Sequence, residues 1–171
     1  NPLPRYYEND MCTINSSGLP NMGYDFYYNI ADELQIYNKP YIVSVSGLTH
    51  KDNINIIETL SFTNTISAIE LNLSCPNIGK ILPWDYIHIF PNKKREWCIA
   101  KLSPLTTPEE IEYVLKAGFT TLHFSNTLPT KKGGLSGKTL IPYTKDLIRI
   151  VRKDFSGTPI EIIAGGGVTT E

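Results

Sequence analysis

Ile66-Ser67-Ala68-Ile69-Glu70-Leu71-Asn72-Leu73-Ser74-Cys75-Pro76-Asn77 is the stretch on which the fold turns. Its first eight residues form a short apolar run of the length of a buried strand. Side chains alternate along a strand, so Glu70 and Asn72 share one face. The run ends in a polar loop that holds a thiol between two amides. A buried strand that delivers polar groups at its C-terminal end is a unit of parallel α/β architecture.

Working outward, four more runs of this kind lie at 41–45, 97–102, 121–124 and 160–164. Helical patterns fall between most of them. Asp52 or Asn53 is positioned to cap a helix through Leu60. Thr107-Pro108-Glu109-Glu110 supplies a cap, a proline at the first helical position and acids in the first turn, and Gly118 ends that helix soon after Lys116. Residues 139–153 place Leu140, Leu147, Ile148 and Val151 on one helical face. Between Cys75 and Trp97 there is room for a helix of about two turns.

Strand then helix, repeated, predicts a parallel sheet. Two closures fit the pattern, an open doubly wound sheet and a (β/α)8 TIM barrel. A full barrel takes about 250 residues, so 171 residues would supply a partial one, with about five of the eight strands. No repeat, low-complexity tract or long linker interrupts the chain, which reads as a single domain over 1–171. It lacks an initiator Met and stops just after a glycine-rich turn, and is read as a piece of a longer protein.

The hydrophobic fraction of 41% and charged fraction of 19% are those of a globular domain. A net charge of −1 offers no field for nucleic acid or an anionic membrane, so neither is expected as a partner. No apolar run approaches the roughly 20 residues that span a bilayer, and the opening residues lack the pattern of a secretory leader. Cys12, Cys75 and Cys98 are widely spaced, without the pairing of a zinc site, so no metal is expected and a reducing, cytoplasmic setting is.

Four of the five strands carry polar groups at their C-terminal ends: Ser44 and Ser46, the Asn72 loop, Lys101, and Ser125 with Asn126. That end holds the ligand in parallel α/β proteins. Lysine is costly to bury, so Lys101 is expected to face an anion or an electron-rich ring. The amides of Asn72 and Asn77 offer donors and acceptors without charge, which suits a flat ligand rich in imide and carbonyl groups. A thiol with an ordinary pKa of about 8.5 can serve as base or nucleophile near neutrality. The plainer alternative for Cys75 is an inert buried cysteine between structural asparagines. The turn-rich segment from Asn15 to Asn21 has backbone N–H groups suited to a carboxylate, or is a surface turn. Gly133-Gly134-Leu135-Ser136-Gly137-Lys138 and Gly165-Gly166-Gly167 are read as loops that hold one phosphate between them. They match neither the Walker spacing nor a Rossmann fingerprint.

Taken together, Asn-Leu-Ser-Cys-Pro-Asn at 72–77, Ile-Asn-Ser-Ser-Gly-Leu-Pro-Asn at 14–21, Ser-Asn-Thr at 125–127, Gly-Gly-Leu-Ser-Gly-Lys at 133–138, Gly-Gly-Gly-Val at 165–168 and the opening Asn-Pro-Leu-Pro-Arg-Tyr resemble the dihydroorotate dehydrogenases, in their order. The resemblance implies a (β/α)8 barrel with FMN over its C-terminal mouth and dihydroorotate as substrate, oxidised to orotate. It implies that Cys75 is the catalytic base, as in the class 1 enzymes. Asn15, Asn72, Asn77 and Asn126 would bind the pyrimidine ring, with Thr127 beside them, and the backbone of Gly18 and Leu19 would take the substrate carboxylate. Asn72, Lys101, Ser136, Gly137, Gly166 and Gly167 would hold the flavin and its phosphate. A second oxidant (fumarate, NAD or a quinone) would reclaim the electrons.

The barrel's first strands would lie before Asn1 and its last after Glu171. The segments 77–101 and 126–133 are shorter than the family pattern. Class 1A members dimerise through the second of these, so a homodimer is not carried over by the resemblance, and the subclass stays open. A related FMN barrel acting on tRNA, a dihydrouridine synthase, is the alternative reading, and an inactive barrel fragment is another. The near-zero net charge disfavours the first of these, since RNA binding calls for a basic face.

Overall fold

A computed structural model of the protein describes residues 5–60, 65–74 and 97–168. Two sheets organise them. The larger is parallel, five strands in the order β3-β4-β5-β6-β9: Ile42–Val45, Ala68–Asn72, Trp97–Leu102, Thr121–Phe124 and Glu161–Ala164. Its strands follow chain order, and the connections described between them contain α2 (His50–Leu60), α3 (Pro108–Lys116) and α4 (Ile141–Asp154). This is part of a (β/α)8 barrel wall, with five of its strands present. The strands at 97–102 and 121–124 match the sequence reading to the residue, and the other three begin one or two residues later than expected.

Alternation sorts the sheet into two faces. Val45, Ile69, Leu71, Ala100, Leu102, Leu122 and Phe124 are buried and pack with Ile57 and Leu60 of α2, Ile111 and Val114 of α3, and Leu147 and Val151 of α4. The opposite face presents Ser44, Glu70, Lys101 and His123, joined to one another by hydrogen bonds and ion pairs. At the two edges of the sheet this inner face shows apolar groups as well, Ile42 on β3 and Ile163 on β9, both exposed. Every inner-face side chain therefore points toward the barrel axis, and every outer-face one toward the helices.

The smaller sheet is antiparallel, in the order β1-β2-β8-β7, with strands Tyr6–Glu8, Cys12–Asn15, Gly133–Gly137 and Leu128–Thr130. Residues 133–138, read from sequence as a glycine loop, thus form a strand over 133–137. Glycine is required because β2 passes so near: a Cβ on Gly137 would stand 2.7 Å from the Met11 carbonyl, and one on Gly133 would collide with the Asn15 carbonyl. Ahead of β3 runs α1, Tyr24–Ile30, and a single 3-10 turn at Glu33–Tyr37.

Local signals fix the helix starts. Thr49, not Asp52 or Asn53, caps α2: its hydroxyl accepts the Asp52 N–H at 3.1 Å and the Asp52 carboxylate accepts the Thr49 N–H at 2.9 Å. Asn53 is fully buried and serves elsewhere, accepting the Gly47 N–H at 2.8 Å and donating to the Thr49 carbonyl at 3.2 Å, which braces the loop leaving β3. The start of α3 is as read, a capping box in which Thr107 and Glu110 exchange bonds at 3.3 and 2.9 Å, with Pro108 at its first turn and Gly118 just past its end at φ +100°. No helix among the described residues is long and apolar enough to cross a membrane. Thr107→Ala is expected to lower stability by about 1 kcal/mol, read as a lower urea midpoint with an unchanged slope.

Candidate active site

The C-terminal ends of β4, β5 and β6 are tied together by two asparagines. The Asn126 amide donates to the Asn72 carboxamide oxygen and to the Ser74 carbonyl, each at 3.0 Å. Asn72 also accepts the Ser74 N–H at 3.3 Å, and Asn126 accepts the N–H of Thr127 at 2.8 Å. Both side chains are part-buried. Backbone bonds from Leu73 to Lys101 and from Asn126 to Leu102 carry the ladder past the strand ends. The expected cluster of amides is thus assembled for Asn72 and Asn126, and Lys101 lies beside Asn72 in register. Cys75 and Asn77 lie outside the described residues.

A cleft of about 450 Å³ runs along the whole of β3, from Tyr41 to Ser46, and reaches Asn72, with Leu19, Tyr24 and Tyr27 also in its lining. Leu19 and Asn21 of the 15–21 segment thus lie along the same cleft as β3. Asn21 stiffens that segment by donating to the Leu19 carbonyl at 2.9 Å and accepting the Gly23 N–H at 2.8 Å. Gly18, at φ +80°, has nothing near its α-carbon face, so its backbone conformation and not crowding calls for glycine. Asn15 ends β2 opposite Gly134 of β8, which in turn faces Pro129 of β7, three residues after Asn126. The small sheet is what links the Asn15 segment to the end of β6.

The second glycine cluster is a close approach of backbones. Gly137, Gly166 and Gly167 all have positive φ, at 106°, 86° and 78°. A Cβ on Gly167 would run into the Gly137 carbonyl, and one on Gly166 would press on Leu140 at 3.1 Å. A 3-10 turn at Lys138–Leu140 leads from here into α4, so a helix N-terminus stands beside the cradle. The Thr139 hydroxyl in that turn is buried with no hydrogen-bond partner among the described residues. Thr144 locks the arrangement, donating to the Gly165 carbonyl at 2.9 Å and lying 3.2 Å from the Ser125 hydroxyl. Ser136, expected to take part, is engaged by Thr13 at 2.8 Å.

Sequence reading missed the hub of the inner face. The carboxylate of Glu70 accepts the Ser44 hydroxyl at 2.7 Å, meets Nδ1 of His123 at 2.6 Å and stands 3.6 Å from the Lys101 ammonium. Burial pushes the Glu70 carboxyl up, but the His123 bond, the Lys101 charge and the Ser44 bond together outweigh it, so the group sits below its ordinary 4.5. The available signal was a carboxylate in the middle of an apolar strand, and a histidine likewise placed at 123. Ser46, whose hydroxyl is buried without a partner among the described residues, was noted only as a strand-end polar group.

Residues 1–83 match the family model for dihydroorotate dehydrogenase. The catalytic subunit of a dihydroorotate dehydrogenase B (NAD(+)) from Endomicrobium trichonymphae is 35% identical over 98% of this chain and 62% of its own length. A putative dihydroorotate dehydrogenase A (fumarate) from Aquifex aeolicus is 30% identical over 99% of this chain and 64% of its own. The crystal structure of a DHODH from Eimeria tenella, in complex with ferulenol, superposes with a TM-score of 0.74 at 20% identity, covering 99% of this chain and 60% of that one. The chain thus spans about three-fifths of the length of the relatives it matches.

The depressed Glu70 pKa has a sign. Its contribution to stability is fully present above about pH 4.5, the unfolded value, and is lost as pH falls through the lower folded value. Denaturation midpoints measured from pH 7 down to pH 3 are expected to drop less steeply below pH 4.5 in Glu70→Gln than in the wild type.

Proposed function

We propose that this chain, similar over nearly all its length to dihydroorotate dehydrogenases, carries the substrate and cofactor site of an FMN-dependent enzyme that oxidises dihydroorotate to orotate in pyrimidine biosynthesis. The observation that carries the reading is the Asn72–Asn126 pair, two cross-bonded amides at the mouth of a partial barrel, beside Lys101. Amides of this kind match the edge of a cyclic imide, donor to acceptor and acceptor to donor.

The residues present fit a phosphate-bearing flat cofactor. Gly137, Gly166 and Gly167 bring their backbones close together where side chains would collide, next to the N-terminus of a helix and the Thr139 hydroxyl, which has no partner among the described residues. Those three glycines would hold the phosphate, with Ser136 beside them, while Asn72 and Lys101 would face the isoalloxazine. FMN, when bound, supplies the acceptor for the hydride that leaves C6 of dihydroorotate. Asn15, Asn72, Asn77, Asn126 and Thr127 orient the pyrimidine, and the backbone of Gly18 and Leu19 receives its carboxylate. Cys75 would take the proton from C5. Proton removal of this kind calls for close, oriented contact with the substrate.

A second oxidant completes the cycle. The names of the relatives give both NAD(+) and fumarate, and the choice belongs to parts of the site that the amides do not define. The reading places the reaction in the cytoplasm, a reducing setting that suits three cysteines as widely spaced in sequence as Cys12, Cys75 and Cys98.

The full-length protein is expected to purify yellow and to lose its flavin colour when dihydroorotate is added without oxygen. Cys75→Ala should slow that bleaching by about 10²–10⁴-fold, measured by stopped-flow absorbance, with flavin still bound. A yellow protein that dihydroorotate leaves unbleached would defeat the assignment.

A further inference from the structure

The charged cluster on the inner face does more than fill the barrel. Glu70, Lys101 and His123 stand on adjacent strands, β4, β5 and β6, and Lys101 is in register with both Asn72 and His123. Glu70 lies two residues deeper along β4 and is 8% exposed. Its two oxygens are used differently. One pairs with His123 Nδ1 at 2.6 Å; the other accepts the Ser44 hydroxyl at 2.7 Å and stands 3.6 Å from Lys101 Nζ.

The last distance is the informative one. At 3.6 Å the ammonium feels the carboxylate charge but is beyond hydrogen-bond length. A glutamate free to turn would close on a neighbouring ammonium, because a charge-assisted bond at 2.7–2.9 Å is the stronger arrangement. Here Ser44 from β3 and His123 from β6 clamp the carboxylate from two sides, so it attracts Lys101 without occupying its N–H donors. Lys101, partly buried at the strand end, keeps those donors for whatever lies over the mouth.

We propose that Glu70, clamped by Ser44 and His123, is a positioning residue that holds the Lys101 ammonium at the barrel mouth and offsets its charge there. This rests on the reading of Lys101 as the lysine facing the flavin ring, and it adds how that lysine is set. The clamp gives Glu70 and Lys101 opposite effects on one measurable quantity. A positive charge beside the ring favours the electron-rich reduced flavin, and a negative one disfavours it.

The test is spectroelectrochemical titration of the flavin-loaded full-length protein, as wild type, Glu70→Gln, Lys101→Met and Ser44→Ala. At a fixed poise the ratio of reduced to oxidised flavin is expected to rise about tenfold in Glu70→Gln and to fall about tenfold in Lys101→Met. Ser44→Ala frees one oxygen of Glu70 to close on Lys101, so it should shift the ratio in the direction of Lys101→Met and by less. Ser44→Ala also decides the question if Glu70→Gln does not fold. Flavin bound normally, with the Glu70→Gln ratio unmoved or shifted the same way as that of Lys101→Met, overturns the proposal while leaving the dehydrogenase reading intact. The same holds for a Ser44→Ala ratio that rises. A wild-type protein that binds no flavin overturns the dehydrogenase reading, and the proposal with it.

Discussion

The register of the parallel ladder is the constraint on which the molecule depends. Ser44, Glu70, Lys101 and His123 share a face only because Ser44 pairs with Glu70, Asn72 with Lys101, and Lys101 with His123. The period of a strand is two, so a slip of one residue would send each of these polar groups into the helix layer and bring Ile69 or Leu71 to the axis. Such a slip is doubly unfavourable. It would bury charges among Ile111, Val114 and Leu147, and it would strip the apolar face from the helices that cover it. The charged interior and the apolar exterior of the wall thus enforce one another. The polar strand ends inherit their positions from that agreement.

The small antiparallel sheet performs a second task, joining distant parts of the chain around the mouth. Strand β8 lies between β2 and β7, so the segment after Asn15 and the segment after Asn126 are held by one shared neighbour. Glycines make this possible, because β2 approaches β8 where a side chain would have no room. At the C-terminal end of the same strand, Gly137 meets Gly167, three residues past β9. One glycine-rich strand therefore couples the Asn15 segment to the backbone contact ahead of α4.

How much of this was legible in the sequence follows from what each element relies on. The parallel strands announce themselves as short, largely apolar runs such as Cys98-Ile99-Ala100 and Ala68-Ile69. So does α3, whose capping box is local chemistry between Thr107 and Glu110. By contrast, β8 is written in residues that signal turns, and only its tertiary contact with β2 makes it a strand. Thr49 was passed over as the cap of α2 because Asp52 and Asn53 were equally good candidates; the choice was made by Gly47, which needs the Asn53 carboxamide. At the strand ends, Asn72, Asn126 and Lys101 stand out in sequence as polar groups that close apolar strands, and the structure sets them side by side. The bond from Glu70 to His123 spans two strands and 53 residues, and no local pattern reports it.

The cross-bonded asparagines have a thermodynamic side. Asn126 already spends its donor on Asn72 and Ser74, and its acceptor on Thr127. A ring that bonded the Asn126 amide would have to trade places with partners already satisfied, whereas the Asn72 amide N–H groups have no bond to any described residue. Each exchange of one neutral hydrogen bond for another returns little net free energy, about 1 kcal/mol or less. Recognition of a ring through Asn126 would consequently be a matter of discrimination, not of grip. A molecule with the wrong edge would break the existing bonds and leave the carboxamides stranded, whereas tight holding must arise from stacked area and from charge.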